Sequence, residues 1–72
     1  MQERLNIKKI RELEVLVNQE AKRCHLYRQH GFYVTGIDGQ YFLYHEMQKL
    51  AEGNIRTVYS ALSAVYYVLQ LI

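Results

Sequence analysis

The sequence predicts an α+β fold: a long N-terminal helix, a β-hairpin, a short helix and a C-terminal helix, assembled as a homodimer. Three observations carry the secondary structure. Apolar residues recur at steps of three and four from Ile10 to Cys24. The dipeptide Asp38-Gly39 stands between two runs rich in Val, Tyr, Phe and Thr. The stretch from Thr57 to Ile72 holds no charged residue yet keeps a helical period.

In the first segment Ile10, Leu13, Val17, Ala21 and Cys24 fall on one stripe of an α-helix, which is the expected core face. Leu5, Leu16 and Tyr27 widen the apolar surface beyond one packing seam, which marks Leu16 as a candidate subunit contact. Gly31 suits the left-handed position that ends a helix, with His30 as the cap and Tyr27 and Phe32 as the contacting pair. The helix is therefore expected from about Glu3 to Gln29.

Asp-Gly is a strong hairpin signal, because a type I′ turn needs positive φ at both central residues and these two tolerate it. With Asp38 and Gly39 as the loop, Ile37 pairs with Gln40, Thr35 with Phe42, Val34 with Leu43 and Tyr33 with Tyr44. Val34 and Leu43 then share one face, while Tyr33, Phe42 and Tyr44 share the other. Both faces are apolar or aromatic, and a solitary hairpin is marginal in water, so something must cover it.

Beyond His45, Met47, Leu50 and Ala51 fit one face of a short helix, and Gly53-Asn54 reads as a stop followed by an N-cap. In the final helix Val58, Leu62, Val65, Leu69 and Ile72 form the stripe. Its other side offers Thr57, Ser60, Ser63 and Ala64 beside Tyr67 and Leu71. Such small side chains let another helix approach closely. The charge-free stretch is shorter than the roughly 20 apolar residues a bilayer requires, so no membrane span is expected.

The chain has 72 residues, half of them hydrophobic, with 7 tyrosines and a single cysteine. One domain, residues 1–72, is all that length accommodates, and so small a core usually needs a staple. Disulfides cannot supply it, and a lone thiol without a signal-like N-terminus points to a reducing cytoplasm. Self-association is the remaining route. Its candidate surfaces are the hairpin face with Tyr33, Phe42 and Tyr44 and the helix side with Ser60, Ala64, Tyr67 and Leu71.

Charge is unevenly placed, with seven basic against four acidic residues in 1–30 and two against three in 31–72. Lys8, Arg11 and Lys22 sit near one another on the helix face away from the core stripe, a possible phosphate footprint, although nucleic acid is the weaker expectation. Gly36-x-x-Gly39 matches the spacing of a KH-type backbone clamp, but it lies between strands and contains Asp38, which repels phosphate. His45-Glu46 opens an H-E-x-x-H pattern that fails at Lys49. Cys24, His25 and His30 are close in sequence, yet adjacent helical positions diverge by about 100°, and no second pair completes four ligands. Cys24 on an apolar stripe is a poor nucleophile. No enzyme, cofactor or metal is expected.

From LNIKKIRELEVLVNQEAKRC through GIDGQYFLYHEMQKLAEGNIRTVYSALSAVYYVLQLI, nearly its whole length, the chain resembles the small YopT family of SPβ-type prophages in bacilli. The likeness lies in the overall sequence and not in a functional motif. It implies a phage-derived homodimer of mixed helix and strand, and it assigns no catalytic or binding residue. The expectation is a homodimeric, non-enzymatic interaction module with a host or phage protein as partner. The alternative is a nucleic-acid-binding accessory protein.

Overall fold

The computed structural model describes residues 5–72. The chain runs α1 (Ile7–Arg23), β1 (Phe32–Ile37), β2 (Gln40–His45), β3 (Gln48–Gly53) and α2 (Ile55–Gln70). The three strands form an antiparallel meander in the order β1-β2-β3, and one of its faces packs on the helices. The fold is α+β, as expected, with one difference in kind: a third strand replaces the short helix.

Helix α1 begins where the Asn6 side chain accepts the Lys9 backbone N–H at 3.0 Å, satisfying a donor that no earlier turn can bind. The expected start at Glu3 lies outside the described residues. Ile10, Leu13, Val17 and Ala21 are buried as the stripe predicts, while Leu16 points outward. The C-terminus corrects the sequence reading, because the helix stops at Arg23 and not at Gln29. His25, with φ +63°, occupies the left-handed position expected of Gly31. The Leu26 N–H then returns to the Ala21 carbonyl at 2.7 Å and the His25 N–H to Lys22 at 3.3 Å, the double closure of a Schellman termination. Leu26 packs against the core beside Ala21 and supplies the accompanying apolar contact. Gly31 does have positive φ, but its role is close approach. A Cβ there would overlap the Tyr27 ring and the Asn18 amide oxygen.

The hairpin follows the expected register, with Tyr33 opposite Tyr44, Val34 opposite Leu43, Thr35 opposite Phe42 and Ile37 opposite Gln40. Asp38 and Gly39 both take positive φ, +52° and +79°, as a type I′ turn requires. Val34 and Leu43 are buried against the helices, and Tyr33, Phe42 and Tyr44 stay on the outer face.

Residues 48–53 form β3, antiparallel to β2, with Phe42 opposite Glu52, Leu43 opposite Ala51 and Tyr44 opposite Lys49. A register shift between Leu43 and Tyr44 makes Leu50 the extra residue of a bulge. Gln, Lys, Leu, Ala and Glu are good helix formers, so local propensity favours the predicted short helix. The tertiary structure overrides it. The turn at Glu46, φ +58°, folds the chain back along the open edge of β2, whose backbone groups need a partner.

Helix α2 starts on Asn54, whose side chain accepts the Thr57 N–H at 2.9 Å, as the sequence predicts. Val58, Leu62 and Leu69 enter the core and Val65 packs beside them, whereas Ile72 lies beyond the helix and is exposed. The helix ends without a basic residue of its own. Arg23 of α1 supplies that charge, its guanidinium donating to the carbonyls of Leu69 at 2.7 Å and Ile72 at 2.9 Å. No helix among the described residues is long and apolar enough to cross a membrane.

Candidate interaction surfaces

A three-stranded sheet has two edges, and α1 closes one of them. In β1, Phe32 and Val34 turn their backbone groups away from β2. Asn18 accepts the Phe32 N–H at 2.8 Å and donates to the Phe32 carbonyl at 3.0 Å, as a neighbouring strand would. One turn earlier, the buried Glu14 carboxylate accepts the Val34 N–H, and Arg11 donates to the Val34 carbonyl at 2.9 Å. Arg11 also donates to both Glu14 oxygens, at 2.8 and 2.9 Å, so the buried acid carries its counter-charge. Sequence reasoning missed Glu14 and Asn18. The signal was present: Arg11, Glu14 and Asn18 follow the core residues Ile10, Leu13 and Val17 by one position each, a polar row flanking the apolar stripe.

This arrangement bears on the basic candidates. Lys8, Arg11 and Lys22 share a helical face, but the Arg11 guanidinium is engaged by Glu14 and the sheet edge, and the Lys22 ammonium lies 4.8 Å from the centroid of the Tyr27 ring. The three do not present three outward cations.

On the outer face of the sheet, Tyr33 and Tyr44 stack at 5.3 Å with planes 13° apart, and His30 meets Tyr33 edge-on at 5.9 Å. The Lys49 ammonium sits 5.8 Å from the Phe42 ring and 2.8 Å from the Glu52 carboxylate. The three predicted aromatics share this face, each half-buried, with Tyr33 and Tyr44 in ring contact. No helix among the described residues lies over them, since both pack on the opposite face.

The second predicted surface is more exposed. On α2, Ser60 and Ala64 face solvent, with Tyr67 65% exposed, Val68 52% and Leu71 70%. Beside this stripe a groove of about 340 Å³ is lined only by apolar residues, among them Leu26, Phe32, Ala64, Val68 and Ile72. Leu16 is exposed on α1 next to Val15.

The groups that could do chemistry are tied to the backbone. Glu46 accepts the N–H groups of Arg28 at 2.9 Å, Gln29 at 3.1 Å, His30 at 3.2 Å and Gly31 at 2.8 Å. The Arg28 N–H above all, then those of Gly31, Gln29 and His30, overcome partial desolvation and hold the carboxyl at about 2, well below the ordinary 4.5. This carboxylate fastens the 24–31 loop to the β2–β3 turn, in a cleft of about 680 Å³ that also exposes His25 and Arg28. His45 stacks on Phe32 at 4.3 Å and places Nε2 2.8 Å from the Leu26 carbonyl. Cys24 is half-buried, its Sγ 3.8 Å from the Leu69 carbonyl. Among the described residues, no three His, Cys, Asp or Glu side chains gather as a metal site. Compared with known proteins, the chain matches no family model, no curated protein and no solved structure.

Proposed function

We propose that this chain is a non-enzymatic, homodimeric protein-interaction module of the cytoplasm, prophage-derived as its resemblance implies. The second copy covers the outward stripe of α2, and the aromatic face of the sheet is left for a host or phage protein. The observation that carries this reading is the α2 stripe itself. Ala64, Tyr67, Val68 and Leu71 stand in solvent beside an apolar groove, on a helix with no charge beyond Arg56. Contiguous apolar surface of this kind marks association sites, and small residues at Ser60 and Ala64 permit close helix approach. The nucleic-acid alternative has less support, since Arg11 is held by Glu14 and by β1.

Sedimentation across a wide concentration range tests the module. The expected mass is twice that of the 8.6 kDa chain, with a melting temperature that rises with concentration as mass action requires. A monomer at high micromolar concentration with a concentration-independent melt overturns the proposal. A salt titration against single- and double-stranded DNA and RNA addresses the alternative, because phosphate-driven binding falls steeply with salt. No binding at low salt removes it.

A further inference from the structure

We infer that Glu46 sets the shape of the apolar groove beside α2. Its carboxylate is the internal ligand of an oxyanion nest formed by the backbone of residues 28–31, and filling that nest holds Leu26 and Phe32 in place as one wall of the groove. The inference deepens the proposed dimer and rests on the reading that a second copy covers α2 and this groove. Its own physical basis is the unequal stiffness of the groove's two walls.

One wall is helical. Ala64, Val65, Val68 and Leu69 come from α2, whose backbone is fixed by its own hydrogen bonds. The other wall is made by Leu26 and Phe32, within and just after residues 24–31, the connection from α1 to β1. A segment that belongs to neither helix nor strand keeps its place through what it is tied to. From the Leu26 carbonyl to the Gly31 carbonyl this strap is tied to two residues at the end of β2. His45 places Nε2 2.8 Å from the Leu26 carbonyl and stacks on Phe32 at 4.3 Å. The Glu46 N–H donates to the Gly31 carbonyl at 2.8 Å, and its side chain fills the space below.

That side chain is bound as a free oxyanion would be. Oε2 accepts from Arg28 and Gly31 at 2.9 and 2.8 Å, and Oε1 from Gln29 and His30 at 3.1 and 3.2 Å. Consecutive N–H groups turned toward one point form the concavity in which backbone holds phosphate and carboxylate groups. With its carboxyl held at about 2, Glu46 is ionised through the neutral range and the nest stays filled. If it is emptied, four neighbouring donors lose their acceptor, and the strap that carries Leu26 is released from β2. The nest opens on the cleft of about 680 Å³, so an anion from solvent can enter once Glu46 is removed.

The test follows the methyl groups of Leu26, Val65, Val68 and Ile72 by NMR in the natural chain, Glu46→Gln, Glu46→Ala and Gly39→Ala, with sedimentation in parallel. In Glu46→Gln an amide NH2 faces two of the four donors. Its groove methyls should shift while the fold is kept, and the apparent dissociation constant of the dimer should rise about tenfold if the strap is closed in about a tenth of the subunits. In Glu46→Ala, acetate or phosphate should restore both methyl positions and association, and chloride at equal ionic strength should not. Should that variant be unfolded in chloride, refolding on addition of either oxyanion supports the inference and failure to refold overturns it. Gly39→Ala separates positioning from plain loss of stability. It strains the hairpin turn, φ +79°, at the end remote from His45, without a steric clash, and should leave the groove methyls and the dimer unchanged. Groove methyls unmoved in Glu46→Gln, no rescue by either oxyanion, or the same methyl shifts in Gly39→Ala would each overturn the inference. A natural chain that stays monomeric would end the dimer reading alone, since the methyl shifts and their rescue decide this one without it.

Discussion

Helices α1 and α2 are nearly equal in length, each starts on an asparagine side chain, and each sends one apolar stripe into the same core. Their outward faces diverge. Helix α1 carries charged residues that are exposed or that finish the sheet edge, whereas α2 carries none beyond Arg56 and presents tyrosine and aliphatic side chains to solvent. The final turn of α2 even takes its cation from α1, through Arg23. Core packing accounts for most apolar residues of both helices, leaving Ile7, Val15 and Leu16 exposed on α1 and Ala64, Tyr67 and Val68 exposed on α2. On α2 the exposed residues stand beside an apolar groove and among no charges beyond Arg56, and there association has its physical motive.

The largest effects should be equal in the two helices, because the comparison holds inside the core. Leu62 is fully buried and Leu13 nearly so. Truncation of either to Ala should cost about 2–5 kcal/mol, measured by denaturant unfolding. A loss under about 1 kcal/mol at one site would show that its stripe is not a shared core.

The next effect separates the helices. Asn18 on α1 satisfies both backbone groups of Phe32, and α2 has no counterpart among the described residues. Asn18→Ala should cost about 1–3 kcal/mol by leaving an edge donor and acceptor unpaired. Glu14→Ala should cost at least as much, since it also strips Arg11 of its counter-charge. If both variants keep full stability, water satisfies the β1 edge equally well, and this contrast between the helices disappears.

How much of this was legible beforehand depends on whether the signal is local. Asp38-Gly39 encodes its own turn, so the hairpin and its register could be read from a dozen residues, and Asn54 announces α2 in the same way. The segment from Gln48 to Gly53 has no such signature. Its residues favour helix, and only the exposed ladder of β2 makes it a strand, a demand that appears once β2 exists in space. The end of α1 failed for a related reason. A histidine, not a glycine, takes the left-handed position, supported by the burial of Leu26 and by the Glu46 anchor some twenty residues away. The surface candidates fared unevenly: Tyr33, Phe42 and Tyr44 share one face of the sheet as read, while Arg11 proved to bond the sheet edge.

The Glu46 anchor gives a pH test of the loop that joins α1 to the sheet. Its folded-state pKa of about 2 lies below the ordinary 4.5, so the stability it contributes is complete above about 4.5 and is lost as pH falls through about 2. Thermal melts from about pH 6 downward should show the natural chain losing stability through that window and Glu46→Gln, already less stable at neutral pH, losing less. Parallel curves for the two proteins would mean that the four N–H contacts do not act on the carboxylate as drawn.

The smallest effect on folding should be the most informative about the outward faces. Val15 on α1 and Ala64 on α2 are both exposed, so Val15→Glu and Ala64→Glu should each leave the stability of an isolated subunit within about 0.5 kcal/mol. Their effects on association should differ. A carboxylate at position 64 stands beside Val68 and the apolar groove, where a second copy would have to desolvate it without a partner. At position 15 the same charge joins a helix face that already carries Glu12 and Gln19, and water remains around it. Sedimentation should therefore show Ala64→Glu shifted to monomer and Val15→Glu unchanged. The reverse would move the subunit contact to α1, where Leu16 is its nearest apolar neighbour in sequence. Dissociation by both would mean that the dimer spans the two helices, and the difference between their outward faces would then reflect two halves of one interface.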